Sequence, residues 1–175
     1  MSSIANHCQC LPYDNQASST IIILHPASTM ATADFSITTT NLSQDAFTLR
    51  RFFAYDNAGT TISQQPSQIL KGGHGVETLA WSQMFSTIAS GMDLNVEWST
   101  PKGHSFGVQI HAPVQIGPFG TAPYYQIKVD DGSWDGERHG DTYTFDTKVF
   151  GYSIEVRPNA THSHMYININ ITDID

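Results

Sequence analysis

The chain has 175 residues and a mass of 19.3 kDa, enough for one domain with a substantial hydrophobic core. Charged residues make up only 14% of it, against about 25% in an average globular protein, which excludes a coiled coil or a highly charged disordered chain. The formal net charge is −8 and the eight lysines and arginines are scattered, so nucleic acid is not expected as a partner.

Residues 1–32 are predicted to form a separate N-terminal lead segment. They contain no lysine or arginine and so lack the basic region of a signal peptide. The two cysteines, Cys8 and Cys10, are too close together for a useful disulfide, and with His7 they are too few for a zinc site. We therefore expect a frayed terminus and a chain that is soluble when made, with no standard export signal.

From Ala33 onward, short runs of alternating apolar and polar residues are separated by turn-like clusters. The predicted strands are Asp34–Thr39, Phe47–Tyr55, Val76–Phe85, Met92–Ser99, Phe106–His111, Tyr124–Val129, Phe150–Val156 and Ile167–Ile171. Alternation with a period of two is typical of half-buried strands with one wet face, and no window shows a sustained helical period. Residues 33–175 are therefore predicted to form one all-β domain, an antiparallel β-sandwich of about ten strands with little helix.

The apolar members of the alternating runs predict the hydrophobic core. They are Leu94, Val96, Val108, Ile110, Tyr152, Ile154, Ile167 and Ile169. Because every second residue of a strand points to the same face, these side chains are expected to face the opposite sheet of the sandwich.

The sequence carries no motif that demands an enzyme or a cofactor. No Gly-x-Ser-x-Gly turn is present, and the acidic stretch 130–141 lacks the spacing of a calcium loop. His162 and His164 could share a metal on one strand face, but the sequence names no third ligand, so solvated loop histidines are the alternative. We therefore predict a binding protein that is not an enzyme and has no metal or other cofactor.

A proline- and aromatic-rich loop of about a dozen residues separates two of the predicted strands, from His111 to Tyr125. Loops of that length within compact domains are usually functional or disordered. Three prolines stiffen it, and Phe119, Tyr124 and Tyr125 lie in or beside it. Two interpretations stay open: the aromatic groups bind a lipid interface or the face of a sugar, or they plug the end of the sandwich.

At these residues the sequence resembles the actinoporins, the pore-forming cytolysins of sea anemones, and their wider actinoporin-like family. The resemblance lies in the order of Ile110-His-Ala-Pro113, Phe119 and Tyr124-Tyr125-Gln-Ile-Lys-Val. It extends to Asp34–Thr61, Ala89–Trp98, Val149–Ile154 and His164–Thr172, and so covers roughly residues 33–173.

The resemblance implies an actinoporin-like sandwich that binds phosphocholine headgroups, especially those of sphingomyelin, and that can form a homo-oligomer on membranes. Carried over position by position, the site residues would be His111, Pro113, Phe119, Tyr124, Tyr125, His139 and Tyr143. Aromatic faces hold a quaternary ammonium by cation–π attraction. Fungal fruit-body lectins share this architecture, so a lectin-like carbohydrate-binding module is the alternative.

The chain departs from the family pattern in ways that bear on function. His111 replaces the serine before the loop proline, and His139 and Thr144 stand where the family has tyrosines. The amphipathic N-terminal helix that builds the family's pore is not recognisable, because Pro12 and Pro26 interrupt residues 1–32. The expected function is therefore headgroup binding, either by a pore-forming cytolysin or by a non-lytic relative.

Overall fold

A computed structural model describes residues 32–54, 60–84, 92–112, 122–161 and 164–174. The described residues form eleven strands and one short helix: β1 (Thr32–Asn41), β2 (Phe47–Ala54), β3 (Thr60–Gln64), β4 (Ile69–Leu70), β5 (Gly75–Met84), β6 (Met92–Ser99), β7 (Ser105–Ala112), β8 (Tyr124–Val129), β9 (Tyr143–Thr144), α1 (Thr147–Phe150), β10 (Ser153–Ala160) and β11 (His164–Thr172). The predicted lead segment, apart from its last residue, lies outside the described residues.

The strands form two sheets that face each other as a sandwich. The six-stranded sheet has the order β3-β5-β1-β11-β10-β9, and the five-stranded sheet has the order β4-β2-β6-β7-β8. This architecture confirms the predicted all-β fold class.

One pairing differs from the antiparallel pattern that the sequence predicts. Strands β1 and β11 run parallel, in register from Asp34 beside His164 to Asn41 beside Ile171. A parallel pair cannot be closed by a tight hairpin and needs a long connection, here almost the whole domain. The two ends of the domain therefore meet in the middle of the six-stranded sheet.

The core lies between the two sheets and contains the residues that alternation predicts. Leu94, Val96, Val108, Ile110, Tyr152, Ile154, Ile167 and Ile169 are all buried, which confirms the strand registers. Large aromatic side chains fill the rest of this layer, including Trp98, whose Nε1 donates a 3.0 Å hydrogen bond to Thr39 Oγ1. That bond satisfies a polar group that would otherwise be buried without a partner.

The prediction that Phe150 begins a strand is wrong, because Thr147–Phe150 form helix α1. The side chain of Asp146 caps the helix by accepting a 2.9 Å hydrogen bond from the backbone N–H of Lys148. Gly151 ends the helix with a φ of 68°, in the left-handed region that favours glycine. Phe150 is buried from the helix, and β10 starts only at Ser153.

The prediction of a wet outer face is also wrong at the centre of β6. Asn95 and Glu97 point away from the core and yet are buried. Glu97 lies between two cations, with Arg51 Nη2 at 3.0 Å and Lys128 Nζ at 3.4 Å. The indole ring of Trp134 lies next to Lys128, whose Nζ is 5.6 Å from the ring centroid. Long side chains of the neighbouring strands and a loop thus cover what alternation alone would leave exposed.

Two features of the described part of the chain bear on function. It contains no helix that is long and apolar enough to cross a membrane. Its His, Cys, Asp and Glu side chains also form no group of three or more that could hold a metal ion. His162, one of the two histidines considered as metal ligands, lies outside the described residues.

Candidate ligand-binding site

Two aromatic side chains meet where β7 ends and β8 begins. His111 and Tyr124 are paired across these antiparallel strands. Both point to the outer face of the five-stranded sheet, because Ile110 and Tyr125 beside them face the core. Their rings stack with centroids 4.7 Å apart and planes inclined by 22°. The strand register thus fixes a stacked aromatic pair at this end of the sheet.

A third ring joins this pair from the loop that follows β8. Tyr125 and Arg138 exchange two backbone hydrogen bonds, of 2.8 and 3.0 Å, which brings His139 next to Tyr124. The two rings meet edge to face, with centroids 6.1 Å apart, and His139 Nδ1 lies 3.3 Å from the carbonyl oxygen of Pro123. We call His111, Tyr124 and His139 the three-ring cluster.

A carboxylate lies beside each histidine of the three-ring cluster. Asp93 Oδ1 is 2.7 Å from His111 Nδ1, and Glu137 Oε2 is 4.0 Å from His139 Nε2. Burial raises the pKa of Tyr124, and the negative charges of Glu137 and Asp93 raise it further. The phenol between the two histidines therefore stays protonated near neutral pH and can donate a hydrogen bond.

The guanidinium of Arg138, although next in the chain to His139, is paired with another carboxylate. Its Nη2 and Nε lie 2.5 and 3.1 Å from Asp135 Oδ2, and its Cζ lies 4.6 Å from the centre of the Tyr143 ring. The hydrogen bond to Asp135 raises the pKa of Arg138, so the guanidinium stays charged. The ion pair with Asp135 thus neutralises Arg138. The charge around the three-ring cluster is therefore determined by the two carboxylates beside it.

A cleft of about 390 Å³ opens beside the cluster, within the size range of small-molecule sites. It is lined by Ala122, Pro123, His139, Ala160 and Thr161. Most of these side chains are small or apolar, and the cleft runs from the start of β8 to the end of β10. An acidic aromatic surface with an adjoining apolar cleft suits a ligand that carries a positive charge on a bulky, weakly polar group.

The structure brings together only some of the residues that the resemblance implies for the site. It brings His111, Tyr124 and His139 together. Tyr125 instead faces the core, where its hydroxyl donates to the carbonyl oxygen of Asp141, because neighbours on a strand point to opposite faces. Tyr143 lies in β9 at the edge of the six-stranded sheet. Pro113 and Phe119 lie outside the described residues.

Two site residues, Asp93 and Glu137, are absent from the expectations drawn from the sequence. Asp93 occupies an outward position of the alternating run in β6, opposite His111 on β7. The alternation could have placed it on the right face, and a correct register would have placed it beside His111. Glu137 lies in an irregular loop, and no periodic signal places its side chain.

A second polar cleft, of about 380 Å³, lies at the opposite end of the five-stranded sheet. Asp130 accepts a 2.7 Å hydrogen bond from the Ser105 backbone N–H and lies 3.1 Å from His104 Nδ1. The bond from Ser105, and next the one from His104, hold the pKa of Asp130 below its ordinary value. Arg50 donates to Ser105 Oγ at 2.7 Å and forms an ion pair with Asp131. These groups are hydrogen-bonded or ion-paired with one another, and their contacts hold the turn after β8 in place.

The fold is a β-sandwich with a candidate ligand site at one end, and the sandwich is the architecture expected of the actinoporin-like family. The lipid-binding protein Nakanori aligns with a TM-score of 0.57 at 7% identity, over 79% of this chain and 70% of that one. This match confirms the expected architecture at the level of the fold.

Two structures of the Xerocomus chrysenteron lectin are also similar to this chain. They align with TM-scores of 0.47 and 0.43 at 14% and 13% identity, over 81% and 79% of this chain and 99% of each lectin chain. No protein-family model matches the chain, and no curated protein sequence does. The similarity therefore lies in the fold and not in the sequence.

Proposed function

We propose that this chain is a non-enzymatic binding protein that recognises the choline headgroup of membrane lipids at the three-ring cluster. The observation that carries the proposal is the position of Tyr124, stacked on His111 and met edge to face by His139, with a carboxylate beside each histidine. A similar fold in a lipid-binding protein supports it.

The chemistry of the cluster fits a quaternary ammonium. Such a cation cannot donate conventional hydrogen bonds and is held by aromatic faces, each contributing about 0.5–2 kcal/mol. Asp93 and Glu137 add Coulomb attraction for a cation, which water and salt weaken. The protonated hydroxyl of Tyr124 can donate to the phosphate of the same headgroup.

We include two residues of the loop between β7 and β8 in the proposed site, although both lie outside the described residues. Pro113 and Phe119, which the resemblance assigns to headgroup binding, belong to the segment that leaves β7 directly after Ala112 and returns at Ala122. Both ends of this segment adjoin the three-ring cluster or its cleft. We assign Phe119 a further aromatic face, whereas Tyr125 is left out because it is buried.

Cosedimentation with vesicles tests the proposal. The chain should bind sphingomyelin–phosphatidylcholine vesicles and should bind phosphatidylglycerol vesicles less well, since the cluster is acidic. Tyr124→Ala should weaken binding to the choline lipids by a few-fold to about thirtyfold, which follows from the loss of one aromatic face. Tyr124→Phe, which keeps the ring, should retain most of the binding.

Ile69→Ala is the matched control, because it removes a large exposed side chain at the opposite end of the sheet. Equal binding by Tyr124→Ala and the unmutated chain would contradict the proposal. So would a preference for phosphatidylglycerol. Retention on a sugar column that Tyr124→Ala abolishes, without any vesicle binding, would favour the lectin-like alternative at the same locus.

The same vesicles distinguish a non-lytic protein from a cytolysin. Residues 1–32 lack the apolar period of an inserting helix, and we infer that the chain binds without forming pores. Vesicles loaded with a fluorescent dye should therefore keep it in the presence of the full chain. Dye release that disappears when residues 1–30 are deleted would show that the chain is lytic.

A further inference from the structure

The outer face of the six-stranded sheet is a second candidate surface, built from strands that the three-ring cluster does not use. Its hydroxyl and amide side chains on β1, β5, β10 and β11 include Ser36, Thr38, Thr40, Thr78, Ser82, Asn159, Asn168 and Asn170. All of them are partly or fully exposed. Such a face offers many neutral hydrogen-bonding groups on a rigid support.

Two parallel aromatic rings stand on this face at the start of β11. His164 and Tyr166 are two residues apart on one strand, so their side chains point to the same side. Their ring planes differ by only 7°, and the centroids are 6.2 Å apart. Tyr166 is 39% exposed, whereas Tyr125 and Tyr152 are buried in the core. We call Tyr166 and His164 the Tyr166 platform.

Polar groups flank the platform on the neighbouring strands. Ser36 of β1 and Asn159 of β10 are paired with Tyr166 from either side, at the strand spacing of about 4.8 Å. Asp34 is paired with His164, and its backbone N–H donates a 3.3 Å hydrogen bond to His164 Nδ1. This bond, together with Asp34 Oδ2 at 3.6 Å from the same nitrogen, holds the imidazole ring beside Tyr166.

We propose that the Tyr166 platform binds a pyranose ring of a neutral glycan. The apolar C–H face of a pyranose packs against a flat aromatic ring, while its hydroxyl groups reach donors and acceptors around the edge. Here the Tyr166 ring supplies the face, and Asp34, Ser36 and Asn159 supply the polar partners. The site lies on the other sheet from the headgroup site and does not depend on it.

The charges on this face favour a neutral sugar over an acidic one. Asp34 carries a negative charge beside the platform and would repel a carboxylate or sulfate group. Arg157, two residues before Asn159 on β10, is paired with Glu155 at 2.6 Å and so is not free to balance such a group. A neutral hexose carries no charge for Asp34 to repel and needs no cation to balance it.

A printed array of neutral and acidic oligosaccharides, followed by calorimetry with the strongest ligand, tests this proposal. Full-length protein should bind neutral glycans and leave sialylated and sulfated ones unbound. Tyr166→Ala should weaken binding by about tenfold or more, whereas Tyr166→Phe, which keeps the ring, should stay within a few-fold of the unmutated chain. Thermal unfolding of each variant shows whether it is folded.

Phe53→Ala is the matched control, because Phe53 is an equally exposed aromatic residue on the outer face of the other sheet. It should not change glycan binding. The proposal is overturned if no neutral glycan binds, or if binding survives in folded Tyr166→Ala. Vesicle binding by Tyr166→Ala is measured in parallel: loss of glycan binding with vesicle binding retained supports two separate sites, and loss of both overturns their separation.

Discussion

The ring of Trp134 lies against Gly107 on the outer face of the five-stranded sheet. A Cβ built at residue 107 would be 3.1 Å from Trp134 Cη2 and 2.9 Å from Glu97 Cγ. Glycine therefore lets the indole cover the centre of the sheet, where Glu97 is buried between Arg51 and Lys128. This contact explains why the outward side of β6 is not wet.

The first prediction concerns this close contact. Gly107→Ala should lower the free energy of unfolding by about 1–3 kcal/mol, because the added methyl overpacks a site whose neighbours are fixed. That cost exceeds the ~0.5–1 kcal/mol that an alanine normally gains over glycine within a strand. Urea denaturation measures the difference. Gly136→Ala, where a Cβ would meet nothing within 4 Å, is the control and should be close to neutral.

The second prediction tests the register of β11. Ile169 is fully buried between the sheets, and its neighbour Asn168 is exposed. Ile169→Ala should cost about 2–5 kcal/mol of stability, from lost burial and the cavity left behind. Asn168→Ala should change it by no more than about 0.5 kcal/mol. Similar losses in the two variants would show that the strand faces have been assigned incorrectly.

Much of the fold follows from the pattern of the sequence, and the exceptions have physical causes. Strands β6, β7 and β11 are long and strictly alternating, so their faces could be predicted. Strands β4 and β9 have two residues each, too few for a period to show. The parallel pairing of β1 with β11 depends on chain packing, which no local pattern encodes.

In the candidate site, too, some positions follow from the sequence pattern and others do not. The alternation of Tyr125 with Ile127 could have shown that Tyr125 faces the core and Tyr124 faces outward. The approach of His139 to Tyr124 depends on loop hydrogen bonds between Tyr125 and Arg138, which have no signature in the sequence. Residues on strands were thus predictable, and residues on the irregular loop were not.

The third prediction concerns acid stability and Asp130. Hydrogen bonds from Ser105 and His104 lower its pKa in the folded protein below the value of about 3.9 in an unfolded chain. A lowered carboxyl pKa stabilises the fold above about pH 4, and this contribution is lost as pH falls through the folded pKa. Asp130→Asn should therefore be less stable than the unmutated chain at pH 7, and the difference should shrink below about pH 4.

Chemical denaturation between pH 2 and pH 7 measures this difference. Asp131→Asn is the control, because the Asp131 side chain is 86% exposed and its ion pair with Arg50 lies in solvent. Exposed pairs contribute little, so this variant should differ less from the unmutated chain at pH 7. A difference for Asp130→Asn that stays constant over the whole pH range would contradict the linkage.

The fourth prediction addresses the charge of the three-ring cluster. Glu137 lies beside His139, and its side chain is 60% exposed, so a lysine fits there without repacking the core. Glu137→Lys should weaken binding to phosphatidylcholine vesicles by a few-fold, because the new cation repels the ammonium group. It should strengthen binding to phosphatidylglycerol vesicles, since a lysine near an anionic surface contributes about 1 kcal/mol.

Asp131→Lys makes the same change to the net charge of −8 at the opposite end of the sheet. If both variants shift lipid preference equally, the effect belongs to the overall charge of the protein; a shift confined to Glu137→Lys locates the headgroup at the three-ring cluster. High salt should reduce the gain on anionic vesicles, because it screens charges beyond about 10 Å at 0.1 M.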